Sequence, residues 1–135
     1  QIDSQPRISQ ALNDLGQLQT QMGKFAEAEA SLRQAIAIAQ AIGKTPTIAQ
    51  AFSNLGELWA KQKRPDLAIA FYKQSVNTYE SIRSNLRSLS QTQQQSYTNS
   101  IAQTYRQLAD LLLSQGRILE AQESLELLKV QELRD

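Results

Sequence analysis

The sequence predicts an all-α fold, a short stack of helix–turn–helix hairpins, and three observations carry that expectation. Good helix formers dominate the composition: Ala, Leu, Gln, Glu, Lys and Arg are abundant, whereas Val occurs only at positions 76 and 130. Apolar residues recur at three- and four-residue spacing, the period of a helix with one buried face. One pattern also occurs three times, as ALNDLGQLQTQMGKFAEAEASLRQAI from Ala11, AFSNLGELWAKQKRPDLAIAFYKQSV from Ala51 and TYRQLADLLLSQGRILEAQESLELLK from Thr104. In that alignment Gly16, Gly56 and Ala109 correspond, as do Ala28, Ala68 and Ala121. The 135 residues suffice for one domain with its own core.

Each repeat reads as two helices. In the first, Ile8, Leu12, Leu15, Leu18 and Met22 form one apolar stripe, Gly23 breaks the run, and Phe25, Ala28, Leu32, Ala35, Ile36 and Ala39 form the next. Gly43 suits a left-handed helix stop, Thr45 offers an N-cap hydroxyl, and Pro46 fits the first helical position. The second repeat supplies Ile48, Phe52, Leu55 and Trp59, then Ala68, Phe71, Tyr72, Val76, Tyr79 and Ile82. The third supplies Tyr105, Leu108 and Leu112, then Ile118, Ala121, Leu125 and Leu128. Six helices are expected, over about 5–22, 25–42, 46–62, 65–88, 91–115 and 117–133. They make three hairpins, about 5–42, 46–88 and 91–133, in a single repeat domain over 1–135. The polar run SQTQQQS at 90–96 reads either as a linker or as the start of a helix capped by Ser90, and the helix is expected. The small residues imply close helix axes, Gly16 against Ala28 and Gly56 against Ala68, where larger side chains would overpack. A lone hairpin cannot cover its own apolar face, so the hairpins must stack.

Leu15, Gly16, Gly23, Phe25, Ala28, Leu32 and Ala35 together resemble the tetratricopeptide repeat. Leu55, Gly56, Ala68 and Tyr72 carry the likeness in the second repeat, and Leu108, Ala109, Gly116, Ala121 and Leu125 in the third. The resemblance implies a right-handed superhelical solenoid that binds proteins. The sequence departs from the pattern in its longer period, in lacking the Pro that usually closes a repeat, and in Lys63 where the other turns have Gly. A different geometry is expected at that turn. The stretch SYTNSIAQTYRQLADLLLSQGRILEAQESLELLKVQEL is also similar to the segment preceding the caspase-like CHAT domain in cyanobacterial proteins. That likeness implies a fragment whose parent carries the protease domain. It makes an adjacent CHAT domain an expected partner. A cytoplasmic location is expected.

The composition narrows the function classes. The chain has no His and no Cys, which removes Cys–His and Ser–His nucleophile pairs and nearly all zinc sites. It has no Gly-rich phosphate loop, so catalytic residues, metal and cofactor are all expected to be none. With 14 basic and 13 acidic residues the net charge is +1, too even for a nucleic-acid surface. No apolar run reaches the roughly 18–20 residues that span a bilayer. Lys61, Lys63 and Arg64 are expected at a solvated turn, with a phosphate or acidic-peptide contact as the alternative, and Glu120, Glu123 and Glu126 on a solvated helix face.

The resemblance places a binding surface on the first helix of each hairpin. By helical phase this face carries Gln10, Asn13, Gln17, Thr20 and Gln21, then Gln50, Ser53, Asn54, Glu57 and Lys61, then Gln103, Arg106, Gln107 and Asp110. Carboxamides donate and accept, which suits an extended peptide backbone. Some relatives clamp a peptide carboxylate with Lys and Arg, but Gln103 and Gln107 stand in the matching places, so that activity is not expected. Asn54 resembles the Asn that grips peptide backbone in such grooves. The expected partner is a protein or peptide in an amide-rich groove, and a merely solvated polar face would show the same pattern. The alternative is a spacer, or an oligomerisation and docking element, that self-associates through its solenoid ends.

Overall fold

The computed structural model describes residues 4–82 and 91–134. Six helices run through them: α1 Gln5–Gln21, α2 Phe25–Ile42, α3 Thr45–Lys61, α4 Pro65–Ile82, α5 Gln91–Ser114 and α6 Ile118–Arg134. There is no strand among the described residues. The helices fall where the periodicity predicts. The end of the fourth helix expected over 83–88, and the Ser90 cap, lie outside the described residues. The polar run opens a helix as expected, since α5 extends for 24 residues from Gln91.

The three hairpin turns share one geometry. Gly23, Lys63 and Gly116 all have left-handed backbones, with φ of 80°, 60° and 73°. The residue after each donates to a carbonyl five positions back: Lys24 to Gln19 at 2.9 Å, Arg64 to Trp59 at 3.0 Å and Arg117 to Leu112 at 2.8 Å. This Schellman closure satisfies carbonyls that the helix end leaves open. The expectation of a different second turn is therefore corrected: the hydrogen bonds and packing of two helices hold Lys63 in a conformation that costs an L-residue with a Cβ about 1–2 kcal/mol. Gly43 adopts the left-handed stop predicted for it, with φ of 72°. Thr45 does not cap α3. Lys44 stands at the N-cap, Thr45 is the first helical residue, and no side-chain cap bond forms.

Close packing explains the small residues, with one change of partner. A Cβ on Gly16 would lie 2.5 Å from Leu32 Cγ, and one on Gly56 would lie 2.8 Å from the Tyr72 ring. The glycines thus seat the large residue one turn beyond Ala28 and Ala68. Gly16 also meets the Ala28 backbone, whose oxygen would be 3.3 Å from that Cβ. Ala28, Leu32, Leu55 and Leu58 form a core between the first and second hairpins, flanked by Phe25, Ile36, Phe52 and Phe71. A larger cluster, including Tyr72, Val76, Tyr79, Ile101, Tyr105, Leu108 and Leu112, joins the second hairpin to the third. Trp59 packs against this second cluster, as its place on the apolar stripe suggested.

The stripe on α1 is not the buried face. Ser9, Asn13, Gly16 and Thr20 are buried, while Ile8, Leu15, Leu18 and Met22 are exposed, the last two at 52% and 57%. The cause is the end position of α1. Its small and polar side faces α2 and α3, where Gly16 sets a spacing too tight for large residues, and its apolar side has no neighbour among the described residues. On α6, Ala121 and Leu128 are buried as predicted, but Ile118 and Leu125 are exposed.

Candidate functional site

Helices α1, α3 and α5 line one polar cavity of about 320 Å³. Each helix contributes residues at the same spacing: Gln10, Asn13, Asp14 and Gln17 from α1; Gln50, Ser53, Asn54 and Glu57 from α3; Ser100, Gln103, Thr104 and Gln107 from α5. Positions i, i+3, i+4 and i+7 share one helix face, so three parallel polar stripes border the groove. Tyr79 from α4 reaches its floor.

The α1–α3 side is closed by a ladder of amides. Asn54 Nδ2 donates to Asn13 Oδ1 at 2.7 Å, and Asn13 Nδ2 donates to Gln50 Oε1 at 3.3 Å. Gln10 Nε2 reaches the same Gln50 oxygen at 3.5 Å and Asp14 Oδ1 at 3.1 Å. Asn13 is only 2% exposed, so its amide belongs to the packing between hairpins. The α3–α5 side is different. These helices do not pack closely, and hydroxyls bridge the gap: Ser53 Oγ lies 2.9 Å from Thr104 Oγ1. Burial pushes the Tyr79 phenol up to about 12, partly offset by its hydrogen bond with Thr104. Burial also raises the Tyr72 phenol, and the Glu57 carboxylate beside it adds to the effect.

Among the residues predicted for the groove, Gln10, Asn13, Gln17, Gln50, Asn54, Glu57 and Gln103 line the cavity, with Ser53 and Gln107 from the same surface. Lys61, Arg106 and Asp110 do not: Lys61 is exposed at the last residue of α3, and Arg106 and Asp110 are exposed on α5 outside the lining. Thr20 is buried and donates to the Gly16 carbonyl at 2.8 Å. Repeat alignment pairs Gln10, Asn13, Asp14 and Gln17 with Gln103, Arg106, Gln107 and Asp110, whereas the cavity meets α5 about one turn earlier. Asp14, Tyr79, Ser100 and Thr104 were not anticipated. The i, i+3, i+4, i+7 spacing from Gln10 could have found Asp14. Tyr79 was legible only as core.

In each of the other two polar clusters one residue finds a partner. Arg64 pairs with Asp66 at 3.2 Å in the second turn and holds that carboxyl below its ordinary range. Of Glu120, Glu123 and Glu126 on α6, the last two are exposed, but Glu120 is drawn into a junction between hairpins. It accepts from Arg117 and, at 2.7 Å, from Lys73 on α4.

Three stacked helical hairpins with a polar groove along their first helices define a class of repeat scaffold. The family model for the tetratricopeptide repeat matches residues 7–81, more than half of the chain, and the chain belongs to that family. Proteins of this fold generally mediate protein–protein interaction. The chain is also similar to the TPR domain of Arabidopsis FLU, with a TM-score of 0.70 at 14% identity over 97% of this chain and 99% of that one. BtubC (BKLC) from P. vanneervenii aligns with a TM-score of 0.71 at 21% identity over 94% of this chain, which spans 47% of BtubC. At these identities the likeness is one of fold. No curated protein sequence matches the chain. No helix among the described residues is long and apolar enough to cross a membrane.

Proposed function

We propose that the chain is a protein-interaction module that holds an extended peptide segment in the polar groove. The observation that carries this reading is the cavity itself, lined at the same helical spacing from three hairpins. Gln17, Gln103 and Gln107 line it with no hydrogen bond to another described side chain, so their carboxamides are available to a backbone. Asn54 already donates to Asn13, which leaves its Oδ1 and second N–H for a ligand. The role is one of binding, and its test is affinity. Gln103→Ala should weaken a groove-bound peptide about fivefold, the worth of one net hydrogen bond. Unchanged affinity by calorimetry for a peptide that Gln103→Trp displaces would remove Gln103 from the site.

A second reading is a spacer or docking element next to a CHAT domain, or one that self-associates through its ends. The apolar residues left exposed support it: Ile8, Leu15, Leu18 and Met22 on α1, and Ile118, Leu119, Leu125 and Leu127 on α6. Light scattering over a concentration series tests the self-association version, for which mass should rise with concentration and fall back in a Leu15→Glu/Leu18→Glu variant.

A further inference from the structure

We propose that the α1–α3 end of the groove receives a cation, the ammonium or guanidinium of a peptide ligand, held near Asp14 and Glu57; this rests on the peptide-groove reading above. The argument begins with the direction of the amide ladder. A carboxylate only accepts, so Gln10 must present Nε2 to Asp14. The same nitrogen faces Gln50, which must therefore offer its oxygen; Asn13 then donates to that oxygen, and its own oxygen accepts from Asn54. Asp14 thus sets the orientation of four amides in two helices. The ladder uses both N–H groups of Gln10 and one each of Asn13 and Asn54, and it leaves the oxygens of Gln10 and Asn54 as acceptors.

The unfilled atoms are Gln10 Oε1, Asn54 Oδ1, the second oxygen of Asp14 and both oxygens of Glu57; none has a partner among the described residues. The donors left over in the ladder are Gln50 Nε2 and the second N–H of Asn13 and of Asn54. No Lys or Arg lines the cavity, and Lys61, one turn beyond Glu57, makes no ion pair with it. A lining that holds two carboxylates and no Lys or Arg fits a ligand that carries a positive charge. It disfavours an acidic peptide by charge.

A peptide array tests this. Random ten-residue peptides, anchored by their C-termini, are made with free and with acetylated N-termini and probed with the purified chain. Peptides lost to Gln103→Trp, or to Gln17→Trp should the first variant not fold, are groove ligands. The expected result is enrichment of Lys and Arg among groove ligands of both forms. Their affinity should fall roughly fivefold in Glu57→Gln and weaken as salt is raised. Enrichment confined to free-amine peptides would keep the cation and assign it to the peptide N-terminus. Groove ligands without charge bias, or rich in Asp and Glu, would overturn the cation inference and leave the groove reading standing. Absence of any groove ligand would overturn the groove reading and this inference with it.

Discussion

The two inter-hairpin junctions along the groove are both polar and yet differently built. Between α1 and α3 the helices pack directly, and a buried amide, Asn13, joins them through Asn54 and Gln50. Between α3 and α5 the helices stand apart, and the Ser53–Thr104 hydroxyl pair spans the gap. Asn13 at the first junction is held within the stack, whereas Gln103 and Gln107, beside the second, make no hydrogen bond to another described side chain. Position on one helical face therefore does not by itself separate an amide engaged in packing from one left open to the groove; the distance to the next helix does.

The largest effect should come from the closed junction. Asn13→Ala removes two hydrogen bonds in a buried place and should cost about 2 kcal/mol of stability, read from urea unfolding midpoints. At the open junction Ser53→Ala should cost about 1 kcal/mol or less, because Thr104 keeps its hydrogen bonds with Tyr79 and the Ser100 carbonyl. Equal losses would show that the gap is as structural as the seam, and would remove the distinction between them.

Much of this fold was legible in the sequence because helical period and glycine stops are local signals. Gly23, Gly43 and Gly116 mark turns that the structure closes at those positions. The inward side of α1 was not legible. Hydrophobicity pointed to Ile8, Leu15, Leu18 and Met22, but the face toward α2 is chosen by how closely Gly16 lets Leu32 approach. That contact lies between helices and leaves no trace in the periodicity of α1. The groove was legible on α1 and α3 and shifted on α5. On α5 the lining lies about one turn earlier than repeat alignment places it, while the aligned pair Ala109 and Ala121 stays buried. Asp14 could be found by spacing, whereas Thr104 required knowledge of the neighbouring helix.

Lys63 gives a smaller test, one of turns rather than junctions. Its left-handed backbone repeats that of Gly23 and Gly116. Lys63→Gly should therefore stabilise the chain by about 0.5–1 kcal/mol, the relief of a left-handed Cβ less the entropy glycine adds to the unfolded state. A thermal midpoint that falls instead would mean that the Lys63 side chain stabilises the turn by a contact of its own.

The smallest expected effect concerns the junction on the side away from the groove, where α6 meets α4 through charge rather than amides. Arg117, and then Lys73, hold the Glu120 carboxyl down at about 2 against an ordinary 4.5. The folded chain thus releases this proton more readily than the unfolded chain does. Stability from the pair is present above about 4.5 and is lost as pH falls toward about 2, because the unfolded state binds more protons through that window. The chain has no His, so no imidazole titration overlies the acid limb. Glu120→Gln should lower the melting temperature slightly at neutral pH, and its curve should converge on that of the parent chain as pH approaches 2. The pair is partly exposed, with side-chain accessibilities of 42% for Lys73 and 37% for Glu120, so solvent screens it and added salt should shrink the neutral-pH difference. A difference that persists unchanged at pH 2 would mean that Glu120 holds α6 to α4 by packing, and that this junction, like the amide seam, does not depend on charge.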